Sequence, residues 1–187
     1  RDQPRSRGLG DVYKRQPQKG SVKIGGVDVK NIRKEELMDT VSFVFQNSKL
    51  MKASILDNVR LSNPNASREE VMEALKSAQC MDIIEKMPDG VDTVIGAKGV
   101  YLSGGEQQRV AIARAISHKP KLIFADEPTA ALDMPTGLAV MNLFKELVHT
   151  DGLTIVMTTH DTAMMEQCDV VYTLDDGRIT DVRKQVE

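Results

Sequence analysis

The chain lacks most of what would tie it to several large functional classes. Its 25 Lys and Arg against 27 Asp and Glu leave a formal net charge of −2, so there is no electrostatic case for nucleic-acid binding. It has only two cysteines, Cys80 and Cys168, and no C-x-x-C pair. That argues against a metal or disulfide framework and for reduced thiols. No apolar run approaches the ~18 residues of a membrane-spanning helix. The start of the chain has no secretory h-region. Any membrane partner would lie on another polypeptide or on sequence outside this one. There are no internal repeats and no low-complexity tract. What is present is 187 residues, 41% hydrophobic and 28% charged. That suffices for one globular domain with a real core.

Residues 1–16 stand apart. Arg1, Arg5, Arg7, Lys14 and Arg15 against Asp2 and Asp11 give a net +3, with no helical or strand periodicity. They are expected to be a non-native or disordered leader. Order is expected from Pro17 to Glu187, in three stretches: core strands over 17–47, a helical subdomain over 48–118, and a strand-and-helix core over 119–187. Ser21–Ile24 reads as a short strand, and Gly25-Gly26 as a turn into a second strand, Val27-Asp28-Val29. Val41–Phe45 is nearly all apolar and reads as a buried strand. Ser67–Glu70 and Ser103–Glu106 are capping boxes that open helices, the first carrying Val71, Leu75 and Ala78, the second Val110, Ala113 and Ala115. Leu122–Ala125 and Thr154–Thr158 read as further buried strands. Between them a helix over Met134–Val148 has Pro135 in its first turn and Gly152 as its stop. Val170–Leu174 and Arg178–Thr180 fit a hairpin around Asp175-Asp176-Gly177. Strands alternating with helices imply an α/β fold with a mainly parallel sheet. His118 and His149 are expected at the surface, and the methionines as core filler.

Two stretches carry chemistry. Asp126-Glu127 ends the apolar run Leu122–Ala125, and ligands of open parallel sheets gather at the carboxyl ends of strands. There Asp can hold Mg²⁺ and Glu can orient or deprotonate a water. Taken alone, such a pair is an ordinary solvated strand end. The second stretch is Leu102-Ser103-Gly104-Gly105-Glu106-Gln107-Gln108-Arg109, seventeen residues earlier. A helix start with two glycines and free amides suits an anion, though an ordinary capped helix would look the same.

Together the two resemble the signature motif and the Walker B motif of ATP-binding cassette (ABC) ATPases. The resemblance runs from about residue 17 to residue 187. It implies a P-loop NTPase (RecA-like) ABC core with an inserted α-helical subdomain, using ATP and Mg²⁺. It further implies roles for individual residues. Ser103, Gly104, Gly105 and Glu106 would contact the γ-phosphate of ATP on a second cassette, which requires a head-to-tail dimer. Asp126 would serve Mg²⁺ and Glu127 would be the catalytic base. Gln46 resembles the Q-loop glutamine, touching Mg²⁺ or the attacking water and relaying contact with a transmembrane domain. Ala131-Leu132-Asp133 resembles the D-loop, placing Asp133 at the nucleotide. His160 resembles the switch histidine that bonds the γ-phosphate.

Phe45-Gln46, Ile55–Val59 and Met87–Gly90 look most like exporters with a fused membrane domain. Val94–Gly99 stands where such exporters have a loop touching that domain, with Ala97 replacing the usual Glu. Ala125–Asp133 instead resembles the lipoprotein and macrolide exporter ATPases. Glu106 stands where Gln is commoner.

The phosphate loop G-x-x-x-x-G-K-[ST] does not occur. Gly20 and Gly25 have the right separation, but Gly26 takes the place of Lys. From Gly8 to Lys14 the spacing also fits, but Tyr13 and Arg15 replace the second Gly and the hydroxyl. Gly20 follows only six positions after Lys14, with Pro17 between them, under two helical turns. The expectation is thus an ABC exporter ATPase domain whose first strands and phosphate loop are absent. It would sit at the cytoplasmic face of the cell membrane through a membrane domain, and the isolated chain would have little activity. The alternatives are a soluble ABC ATPase without a transport role and a non-catalytic dimerisation module.

Overall fold

The computed structural model describes residues 17, 19–96 and 99–184. The expected leader, the Gly8–Lys14 near-match to a phosphate loop, and Ala97 with Lys98 lie outside the described residues. The chain divides between Met38 and Asp39 into two compact units.

In the first unit, β1 (Lys23–Ile24) and β2 (Val27–Asp28) pair antiparallel around Gly25-Gly26. Both glycines have left-handed φ values, 58° and 83°, which explains their use in this turn. Both strands are shorter than expected, the first beginning at Lys23 rather than Ser21 and the second ending at Asp28 rather than Val29. Val29–Asn31 forms a 3₁₀ turn because the Asp28 carboxylate accepts from the Lys30 amide at 3.0 Å and caps it. Helix α1 (Lys34–Thr40) follows.

The second unit is built on a parallel sheet of β3 (Val41–Phe45), β6 (Leu122–Asp126) and β7 (Thr154–Thr158), with β6 in the centre. Phe45, Asp126 and Thr158 lie side by side at its carboxyl end. The α/β expectation therefore holds. Two of the three strands expected to be buried differ from the third. In β3, Val41, Ser42 and Val44 are buried, while Phe43 and Phe45 are 47% and 54% exposed. In β7, Thr154, Val156 and Thr158 are exposed, and Ile155 and Met157 only partly covered. Only β6 comes near the expectation, with Ile123 and Ala125 buried. The reason is one-sided covering. Helices pack on the side carrying Val44, Ile123 and Ala125, while the side carrying Phe43, Phe45, Phe124 and Val156 is open. Strand β7 is also a sheet edge among the described residues.

Between β3 and β6 the chain is mainly helical, as its capping residues imply. Helix α2 (Ile55–Arg60) starts at Ser54, whose hydroxyl accepts from the Asp57 amide. Helix α3 (Arg68–Ser77) starts at the Ser67–Glu70 box, with both reciprocal bonds made. Helix α4 (Met81–Glu85) and a 3₁₀ turn at Gly90–Asp92 come next. Strands β4 (Ala53–Ser54) and β5 (Val94–Ile95) form a short antiparallel pair that two-residue strands do not announce in sequence. Helix α5 (Gly104–Ile116) opens at the Ser103–Glu106 box. Val71, Leu75, Ile83, Val110, Ile112, Ile123 and Leu143 join one continuous core that links these helices to the sheet. That continuity holds the glycine-rich start of α5 in place relative to the strand ends.

Helix α6 (Met134–Asp151) runs three residues beyond the expected end and stops at Gly152, φ 65°. A short helix α7 (Thr162–Met165) precedes the hairpin of β8 (Val170–Asp175) and β9 (Arg178–Lys184). Asp176 and Gly177 both have positive φ, 46° and 74°, the pattern of a tight two-residue hairpin turn. His149 is exposed as expected, but His118 is not a surface residue: both ring nitrogens are buried and unpartnered. It follows the end of α5, where the chain turns through Lys119 (φ 54°) into β6, and this carries the imidazole inward. No helix among the described residues is long and apolar enough to cross a membrane.

Candidate active site

The carboxyl rim of the sheet gathers several of the singled-out residues. Asp126 is the last residue of β6. Its Oδ1 accepts a 2.7 Å bond from the Thr158 hydroxyl at the end of β7. Glu127 follows with φ 44°, a left-handed conformation unusual for a residue with a Cβ. The turn is held by the Glu127 N–H, which donates to the Thr158 carbonyl at 3.1 Å and to its hydroxyl at 3.2 Å. The backbone thus turns sharply out of the sheet, and the Glu127 carboxylate meets His160, Oε1 to Nδ1 at 3.1 Å. The His160 side chain is 78% exposed and that of Glu127 34%. A pair that wet contributes little stability and acts mainly to orient both groups. Strain concentrated at one residue, supported by neighbours, is typical of functional sites.

Gln46 comes one residue after Phe45, at the neighbouring strand end. It is exposed. The turn it belongs to is tied down from two directions. The Ser48 hydroxyl donates to the Phe45 carbonyl at 2.8 Å, and Gln108 Nε2 of α5 donates to the same carbonyl at 3.3 Å. Arg114, further along α5, donates to the Lys49 carbonyl at 3.2 Å. Burial holds the Arg114 guanidinium below its ordinary pKa.

The glycine-rich start of α5 lies against the segment that follows Glu127. A cleft of about 210 Å³ is lined by Gln46, Gly104, Gln107, Gln108, Ala131 and Leu132, among others. A Cβ on Gly105 would fall 2.3 Å from Thr136 Cγ2, and one on Gly104 3.3 Å from Leu132 Cδ2. Close approach to α6 and its entry loop therefore requires glycine at 105 and favours it at 104. Ser103 is exposed. Its hydroxyl donates to Glu106 Oε2 at 2.8 Å, and its amide donates to the same oxygen at 2.8 Å. The Glu106 carboxylate is thus already engaged in capping. Asp133 precedes α6 without capping it, and Pro135 near the helix start removes one amide it would otherwise serve.

Arg109 anchors this helix sideways. Its guanidinium forks onto the Asp82 carboxylate, at 2.8 and 3.1 Å, and also donates to the Gln79 carbonyl. The hydrogen bond from Arg109 holds the Asp82 carboxyl below the usual carboxylate range.

The rim thus brings together Asp126, Glu127 and His160. The cleft joins the Gln46 turn to the Gly104 end of α5 and to the Ala131-Leu132 loop. Sequence reading missed Thr158, Gln108 and Arg114. Thr158 ends a strand facing Asp-Glu, which was a usable signal. Gln108 and Arg114 gave none, because their partners are backbone carbonyls some sixty residues away.

A parallel α/β sheet with paired carboxylates at its rim and a glycine-rich helix start beside them defines a nucleotide-handling class of domain. The chain belongs to the ABC transporter family, whose sequence model, described as "ABC transporter", matches residues 12–130. It is 40% identical over 160 residues to heavy metal tolerance factor 1 of Caenorhabditis elegans, covering 86% of this chain and 20% of that protein. It is 38% identical over 167 residues to the beta-(1→2)glucan export ATP-binding/permease protein NdvA of Rhizobium meliloti (89% and 28%). With P-glycoprotein 14 of Caenorhabditis elegans the identity is 37% over 172 residues (92% and 13%). The chain therefore spans less than a third of the length of each of these relatives.

Proposed function

We propose that this chain is part of the ATP-hydrolysing domain of an ABC exporter. The observation that carries the reading is the rim itself: Asp126, Glu127 and His160 at adjoining strand ends, locked by Thr158. In this reading Glu127 accepts a proton from the attacking water. His160 keeps the Glu127 carboxylate oriented and bonds the γ-phosphate. Asp126 offers a hard oxygen ligand, as Mg²⁺ requires, and a site with one carboxylate plus waters suits that ion's preference. When bound, the ion would neutralise charge developing on the phosphates. Gln46 would touch Mg²⁺ or the water and relay contact to a transmembrane domain. Ser103, Gly104, Gly105 and Glu106, with Asp133, would face ATP held by a second cassette in a head-to-tail dimer.

The export reading is supported by printed names among the relatives, one a glucan export protein and another a "Multidrug efflux ATP-binding/permease protein". It places the domain at the cytoplasmic face of the cell membrane, docked on membrane-spanning segments. The chain has no G-x-x-x-x-G-K-[ST] loop to grip the β- and γ-phosphates. The test is MgATP titration of the chain alone and of the chain joined to a phosphate-loop segment from a relative. The chain alone should show no micromolar affinity. The joined protein should bind, and Asp126→Asn should remove the Mg²⁺ dependence of that binding. Micromolar affinity in the chain alone, or an Asp126→Asn variant that binds like wild type, contradicts the assignment.

A further inference from the structure

Gln46 lies in an exposed turn whose backbone is held by side chains from two helices. The Phe45 carbonyl accepts from the Ser48 hydroxyl at 2.8 Å and from Gln108 Nε2 at 3.3 Å, which occupies both of its lone pairs. The Lys49 carbonyl accepts from Arg114 Nη1 at 3.2 Å. Two residues on, the Asn58 amide of α2 accepts from the Met51 N–H at 2.7 Å and donates to the Met51 carbonyl at 3.0 Å. Gln108 and Asn58 are 3% and 0% exposed, so these donors are fixed in the core rather than waving in water. Within Gln46–Lys49 the backbone makes one bond of its own, from the Lys49 N–H to the Asn47 carbonyl at 2.8 Å. Side chains of α5, more than local backbone, therefore set the shape of this turn. Arg114 is half-buried, and a neutral carbonyl offsets the cost of burying its charge less well than a carboxylate would. Packing alone does not account for that choice of partner.

We propose that Gln108 and Arg114 are positioning residues that hold Gln46 beside the Asp126–Glu127 rim by fixing the carbonyls on either side of it. The proposal rests on the reading that Gln46 touches Mg²⁺ or the attacking water. Phe45 pairs with Asp126 across the sheet and comes immediately before Gln46, so the carbonyl that Gln108 holds is the last fixed point before the glutamine. Helix α5 is a rigid mount for both donors, because Val110, Ile112, Ala113 and Ala115 are built into the core. A misplacement of about 1 Å at a reacting group can cost up to about 10²-fold in rate, so a turn freed from these bonds would be felt in the chemistry.

Two measurements test it. The first uses the full chain without nucleotide. Gln108→Met keeps the side-chain volume and removes the donor, so the fold should persist. The NMR backbone order parameters of Asn47, Ser48 and Lys49 should match those of β3 in wild type and fall toward the flexible range, about 0.6, in Gln108→Met. Arg114→Met should lower them too, and Arg114→Lys, which keeps a donor, should restore most of the loss. Order parameters unchanged in both methionine variants overturn the proposal. The second uses the chain joined to a phosphate-loop segment. Gln108→Met should lower kcat about 2- to 10-fold, the worth of one neutral hydrogen bond, with KM for ATP unchanged. In a Gln46→Ala background it should cost nothing further. Equal losses in the two backgrounds would mean that Gln108 does not act through Gln46, and would overturn the proposal. Glu127→Gln in the same joined protein keeps the two readings apart. Turnover that survives it removes the rim from the chemistry, and the order parameters still decide whether Gln108 and Arg114 hold the turn. Turnover that needs Glu127 but not Gln108 overturns the positioning role alone.

Discussion

Thr158 shows how much of the site rests on single atoms. Its hydroxyl donates to Asp126 and accepts from the Glu127 amide, while its carbonyl takes the same amide. Thr158→Val should leave Asp126 without that donor and loosen the left-handed turn at Glu127. In a joined, phosphate-loop-bearing protein, turnover should fall about 10- to 100-fold, the worth of one hydrogen bond to a charged group. Steady-state kinetics beside a melting curve separate this from unfolding, and unchanged turnover would remove Thr158 from the site. The thiols give a second test at this scale. Burial pushes Cys80 up to about 12. The thiolate is the reactive form, so Cys80 should resist alkylation at neutral pH until guanidinium unfolds the chain. Cys168 is only partly buried and should label first. Equal labelling of both in the native chain would contradict the packing around Cys80. The carboxylate pair was legible because motif and strand end coincide in sequence. Thr158 offered only its place at a strand end, because its bonds form only when two strands 32 residues apart come into register.

Helix α5 carries the glycine-rich end, and two contacts fix where that end lies. Gly105 meets Thr136 of α6 too closely for a side chain. Gly105→Ala should therefore destabilise the chain by about 1–3 kcal/mol through overpacking. Adding Thr136→Ser removes the clashing methyl and should restore most of the loss. A double-mutant cycle in denaturant measures the coupling, and strict additivity would contradict the contact. Arg109 and Asp82 supply the second contact. Because folding lowers the Asp82 pKa, the unfolded chain binds that proton more readily. The pair's contribution is complete above the ordinary carboxylate value of about 3.9 and is lost as pH falls through the lower folded value. The melting temperature of Asp82→Asn should thus lie below wild type at pH 7, and the gap should close in acid. A gap constant from pH 7 to pH 3 would show that the ion pair is not its cause. The capping boxes that start α3 and α5 were readable from four-residue patterns, since both partners are local. The Arg109–Asp82 fork was not, because its partners lie on different helices.

At the scale of the whole molecule, alternating strands and helices were enough to reach a parallel α/β sheet and its carboxyl rim. The one-sided covering of that sheet was not readable. An apolar run such as Val41–Phe45 has the same composition whether one side or both are packed. Only the placement of the helices decides that Phe43 and Phe45 remain open. If the rim formed by β3, β6 and β7 does the chemistry on ATP, Glu127 is the base. The most direct test is ATP turnover by the chain joined to a phosphate-loop segment, wild type against Glu127→Gln. The expected loss is roughly 10²–10⁴-fold with ATP binding retained. Turnover within a few-fold of wild type would contradict it.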